Sequence, residues 1–140
     1  MAKITTDGYS IAPTALISAA QAFTADWVDL GGEIDVGRMD TFSLCLEFDA
    51  NDSLNMRVRL LTKTPKSTTL EYVPNLKPRS ASVNAIADEY DELDVDTVDQ
   101  NKQLFYRLRG CVQTVQVQIQ AGTPGVSPGR VVTAYYMASR

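Results

Sequence analysis

The chain of 140 residues contains no histidine. That absence excludes Ser-His-Asp and Cys-His nucleophilic sites and every histidine-ligated metal centre, since each needs an imidazole as base or ligand. Cysteine is scarce as well: Cys45 and Cys111 are the two in the chain, far apart and without a C-x-x-C spacing, so neither a zinc site nor a disulfide framework is indicated. Both read as small residues of ordinary strands. No run approaches the roughly 20 apolar residues a membrane helix needs. The N-terminal stretch is interrupted by Asp7, Gly8 and Pro13, which leaves no apolar centre for a signal peptide. Positive charge is in deficit, with a net charge of −4, the wrong sign for a protein that neutralises many phosphates. Nucleic acid and membrane are therefore not expected partners, and synthesis in the cytoplasm is expected.

What is present is alternation. With 44% hydrophobic and 21% charged residues the composition is that of one globular domain, and period two dominates it. In Thr41 to Phe48, Phe42, Leu44, Leu46 and Phe48 share one face. Met56, Val58 and Leu60 repeat the pattern, with Arg57 and Arg59 opposite. The turn-forming residues Asp49 to Ser53 between these runs predict a hairpin. Further strands are predicted over Phe23–Leu30, with Ile34 and Val36 as a short continuation past Gly31-Gly32, and over Thr69–Val73, Glu89–Val95, Gln103–Arg109 and Val131–Met137. Ser82–Ala87 is ambiguous between a helical turn and extended chain. In Gln113–Gln120, Val115, Val117 and Ile119 face the core and glutamines face outward. A row of amides of that kind suits contact with a neighbouring chain.

Seven or eight strands with little helix predict an all-β fold, a single antiparallel β-sandwich of jelly-roll type over residues 21–140. Residues 1–20 have no clear period and read as an extended N-terminal arm.

Charge falls in blocks. Residues 87–100 hold seven acids and no base, while 51–86 hold six bases and two acids. Two arrangements account for this: pairing across a sheet within the chain, or complementary edges between subunits, where charge sets register and excludes wrong partners. The acids near Asp94, and those of Asp49-Ala50-Asn51-Asp52, lack the glycine and closing glutamate of an EF-hand calcium loop. Neither metal nor cofactor is indicated. The Gly-Pro-rich stretch 122–129 has no lysine for a phosphate loop and reads as a surface connection. Trp27 is read as a core residue, the alternative being a sugar-stacking platform with Tyr135 or Tyr136. No carboxylate pair stands out as the acid and base of a glycosidase.

Three segments carry a resemblance: Ala22 to Asp35, with its Trp27-Val28-Asp29-Leu30-Gly31 run, Leu46 to Ser53, and Val115 to Gly122. They are similar to small β-sandwich virion proteins of tailed bacteriophages. The resemblance implies a non-enzymatic structural role in the virion, as a capsid decoration (cement) protein or a neck or tail accessory protein. It implies a homo-oligomer, expected to be a trimer, that contacts other virion proteins such as the major capsid protein. The alternative is a carbohydrate- or receptor-binding module. The expected contact residues are Ile4, Tyr9 and Ile11 of the arm, Arg57 and Arg59, and the acids Asp91, Glu92 and Asp94.

Overall fold

A computed structural model describes residues 10–22, 24–49, 54–63, 71–72, 90–95, 100–108, 112–122 and 129–140. Among them are ten strands: β1 (Ser10–Ala15), β2 (Gln21–Ala22), β3 (Val28–Asp35), β4 (Thr41–Asp49), β5 (Leu54–Lys63), β6 (Glu71–Tyr72), β7 (Asp91–Val95), β8 (Asn101–Arg107), β9 (Thr114–Ala121) and β10 (Arg130–Ser139). They form two antiparallel sheets. Sheet A runs β1-β10-β4-β8, with β2 following β1 along the same side of β10. Sheet B runs β3-β9-β5-β6, with β7 beside β6 along β5. The fold is thus a two-sheet β-sandwich, as the alternation predicts.

Each sheet turns its apolar rows inward. Phe42, Leu44, Leu46 and Phe48 of β4 are buried against Met56, Val58 and Leu60 of β5 and Val115, Val117 and Ile119 of β9 in one core cluster. Aromatic packing reinforces sheet A: the Phe42 ring lies 6.0 Å from Tyr136, nearly parallel, and 6.4 Å from Tyr106.

The hairpin expected between Thr41–Phe48 and the next run is not formed. β4 pairs with β10 and β8 in sheet A, whereas β5 pairs with β9, β6 and β7 in sheet B. The chain crosses from one sheet to the other between them. Alternation reports which side chains face the core, and that set is the same whether two strands lie side by side or face each other across it.

The predicted arm also differs. Ser10–Ala15 is an edge strand, paired with β10 through Ser10↔Ser139 and Ala15↔Tyr135. Ile11 packs against the core and Leu16 donates its N–H to the Ala134 carbonyl at 2.7 Å. Residues 1–9, with Ile4 and Tyr9, lie outside the described residues, as do Ser82–Ala87 and Cys111.

The predicted strand at Phe23–Leu30 begins later, because the Thr24 hydroxyl accepts the Asp26 N–H at 3.2 Å and bends the chain. β3 then runs through both glycines to Asp35. Between Leu30↔Val117 and Ile34↔Val115 the register shifts, so residues 31–33 stand opposite Gln116 alone. Gly31 makes this bulge with φ of 72°. A Cβ there would lie 2.5 Å from the Leu16 carbonyl oxygen, so the bulge is also where the chain beyond β1 touches sheet B.

Candidate functional site

The two outer faces of the sandwich differ in chemistry, and the difference follows from the strands' outward rows. On sheet B, β5 contributes Arg57 and Arg59, β9 contributes Gln116, Gln118 and Gln120, and β3 contributes Asp29. The charges are engaged within the chain. Arg59 Nε donates to Gln118 Oε1 at 3.0 Å, and Gln118 Nε2 donates to Asp29 Oδ1 at 2.9 Å. One row away, Arg57 donates to Gln120 Oε1 at 3.3 Å, and Gln120 donates to the Ala25 carbonyl at 2.8 Å. Each guanidinium also covers an aromatic ring, Arg59 over Trp27 at 4.1 Å and Arg57 over Tyr90 at 4.6 Å. The two rings are 6.0 Å apart. The result is a ladder of alternating guanidinium, amide and aromatic groups.

Trp27 is therefore not a core residue. It is half-buried just ahead of β3, with Arg59 lying on its ring. Trp27 falls in the row of the exposed Asp29, opposite the core-facing Val28 and Leu30, so the alternation that buries Leu30 leaves it on the outer face. Arginine covers the surface a sugar would stack on. Gln116 departs from the outward, wet row in the other direction. It is 3% exposed, and its amide donates to the Gly31 carbonyl at 3.0 Å, satisfying the bulge that buries it.

The structure brings several expected contact residues together. Arg57 stands directly opposite Glu92, and Asn55 opposite Asp94, across β5 and β7. The strand of the basic run thus lies beside that of the acidic one, with Arg57 and Glu92 in register while the Arg57 guanidinium bonds Gln120. Glu92 and Asp94 are exposed, while Asp91, opposite Val58, is half-buried. Ile11 is half-buried and belongs to the edge strand. It lies on sheet A's side, away from this cluster. Asp49, the first acid of the Asp49-Ala50-Asn51-Asp52 stretch, bonds Arg130 at 3.0 Å. Among the described residues, no group of three histidine, cysteine, aspartate or glutamate side chains gathers as metal ligands do.

Sheet A presents a different face. Its outward rows place Phe105, Ser43 and Met137 side by side, then Gln103, Cys45 and Tyr135. Phe105 is 63% exposed and Tyr135 46%, and these are the large hydrophobic side chains most open to solvent among the described residues. A shallow depression of about 240 Å³ runs from Phe105 over Ser43 to Ile11 and Pro13. Charge is confined to the ends, Arg107 beside Thr41 at one, and Glu47 beside Asn101 with the Asp49–Arg130 pair at the other. The exposure of Phe105 is missing from the expected contact set, although its signal is in the sequence. Leu104 and Tyr106 take the inner row of β8, which leaves Phe105 on the outer one.

These features define an antiparallel β-sandwich whose distinctive chemistry lies on its two broad faces. No family model, curated protein or solved structure matches the chain.

Proposed function

We propose that this chain is a non-enzymatic structural protein of a tailed-phage virion, a capsid decoration protein that stabilises a shell through repeated subunit contacts. The virion assignment rests on the sequence resemblance of residues 22–35, 46–53 and 115–122. The observation that carries the contact role is the outer face of sheet A, whose two middle rows carry no charge and leave Phe105 and Tyr135 exposed. Single exposed hydrophobics are ordinary, but several on one face around an uncharged centre, with charge at the margin, are characteristic of surfaces that meet another protein.

The jelly-roll reading belongs to this proposal. It is supported by the strand orders β1-β10-β4-β8 and β3-β9-β5-β7 and by the way the chain passes between sheets from β2 to β3, β3 to β4, β4 to β5, β7 to β8, β8 to β9 and β9 to β10. Double-sheet folds of that kind recur in viral shells, where they supply a rigid body with two usable faces. Ile4 and Tyr9, ahead of the edge strand, remain contact residues in this proposal, as do the exposed acids Glu92 and Asp94. The arginines support them by holding the sheet B face in shape. Many weak contacts multiplied by shell symmetry give firm attachment without a large interface.

The test is co-sedimentation of the purified chain with undecorated shells of the same virus. Saturable binding at a ratio fixed by the shell lattice is expected, weakened when Glu92 and Asp94 are both changed to Lys. Failure to bind shells at any concentration overturns the proposal.

A further inference from the structure

We propose that the outer face of sheet A is a self-association surface, on which a second copy of this chain packs face to face about a two-fold axis perpendicular to the strands. The proposal deepens the contact reading above by naming the face and its occupant. Three features of the face bear on a second copy: its apolar centre, its charge placement and its size.

The first is its apolar centre. Phe105, Tyr135 and the half-buried Met137 lie in the two middle rows, over the small residues Ser43 and Cys45. A two-fold axis running between those rows sets β10 over β10 of the second copy in the opposite direction. Tyr135 then meets Met137 of the second copy, a favourable aromatic–thioether contact, and Phe105 packs beside its own equivalent near the axis.

The second is charge placement. Arg107 and Glu47 sit at opposite ends of the face on the adjacent strands β8 and β4, and both are exposed. Reversing strand direction brings Arg107 of one copy to the end that carries Glu47 of the other. The same operation makes this pair twice, as an isologous interface requires.

The third is size. Four strands at about 4.8 Å spacing and some seven residues at about 3.3 Å give a face of roughly 450 Å² in plan. That is at the small end of specific interfaces, so association is reversible and concentration-dependent. Among the described residues β8 ends the order of sheet A, and growth through that edge is disfavoured because Lys102 occupies the inward row opposite Leu46, a placement that discourages strand addition.

Sedimentation equilibrium of the full chain over a wide concentration range tests this. A monomer–dimer equilibrium is expected. Phe105→Ser removes an exposed side chain and leaves the core intact, so it is expected to give a folded monomer. Arg107→Glu is expected to weaken the dimer about tenfold by placing like charges together, and Arg107→Glu with Glu47→Arg to restore it to within about threefold. A monomer at every concentration, a trimer, or a double variant no tighter than Arg107→Glu alone would overturn the proposal. No shell protein enters the assay, so its outcome is separate from that of docking on particles.

Discussion

Replacing Gly31 by alanine is the most demanding single test of how the two sheets are joined. Gly31 sits at φ of 72°, in the left-handed region that costs an alanine about 1 kcal/mol or more. The new Cβ would lie 2.5 Å from the Leu16 carbonyl oxygen and 2.6 Å from its Cδ1. The carbonyl is backbone and cannot swing aside, so either the bulge or the segment after β1 must move. Moving the segment strains the Leu16 N–H bond to Ala134, and moving the bulge draws the Gly31 carbonyl away from the buried Gln116 amide. An ordinary intramolecular hydrogen bond contributes about 1 kcal/mol, and a buried amide left without its partner costs about 1–3 kcal/mol. Together these give an expected loss of about 2–4 kcal/mol. A Cβ added at the adjacent Gly32 would meet nothing within 4 Å, so Gly32→Ala should stay within about 0.5 kcal/mol of the parent. Urea denaturation followed by far-UV circular dichroism, with the m-value checked for constancy, measures both. If the two variants differ by less than about 0.5 kcal/mol, the bulge is not the joint described here.

Other consequences are narrower. Arg59→Ala uncovers the Trp27 ring and removes the bond to Gln118, so a stability loss of about 1–2 kcal/mol should accompany a change in Trp27 emission. With the arginine in place, titration with glycans should leave that emission unchanged; a saturable change would favour a sugar-binding role. Leu44→Ala, at a fully buried centre of sheet A, should cost about 2–5 kcal/mol by calorimetry or denaturant titration. Because the chain has no imidazole, the dimer constant should vary less than about threefold between pH 6 and 8, and a steeper dependence in sedimentation would contradict the face proposed for self-association.

How far the sequence is legible depends on which physical relation is asked of it. Facing is legible: the apolar rows Phe42–Phe48, Met56–Leu60 and Val115–Ile119 are the buried ones, because side-chain direction in a strand is a local property of period two. Partnership is not. Asp49 to Ser53 carries turn-forming residues whether it closes a hairpin or spans two sheets, and the choice between them is decided by long-range pairing of β4 with β10 and β5 with β9. The bulge at residues 31–33 is hidden for a related reason. Two glycines read locally as a strand end, yet here one of them allows β3 to continue while Gln116 fills the gap.

The candidate contact residues divide along the same line. The opposite charges of Arg57 and Glu92 are visible as blocks, and their meeting across β5 and β7 is the arrangement block counting can suggest but not select. Trp27 reads as core in the sequence and is not, because it shares the facing of Asp29, and it is Val28 and Leu30 that turn to the core. Ile11 reads as part of an arm because Ser10–Ala15 includes Pro13 and lacks clean alternation, features an edge strand tolerates when its neighbour supplies the ladder.

The central claim, that this sandwich works by contact on a virion shell, is tested most directly by electron cryomicroscopy of undecorated shells before and after the purified chain is added. New density at symmetry-related positions on the shell surface, shaped as a two-sheet sandwich, is the predicted result. Shells unchanged in density, with the chain remaining free in solution at saturating concentration, would contradict it.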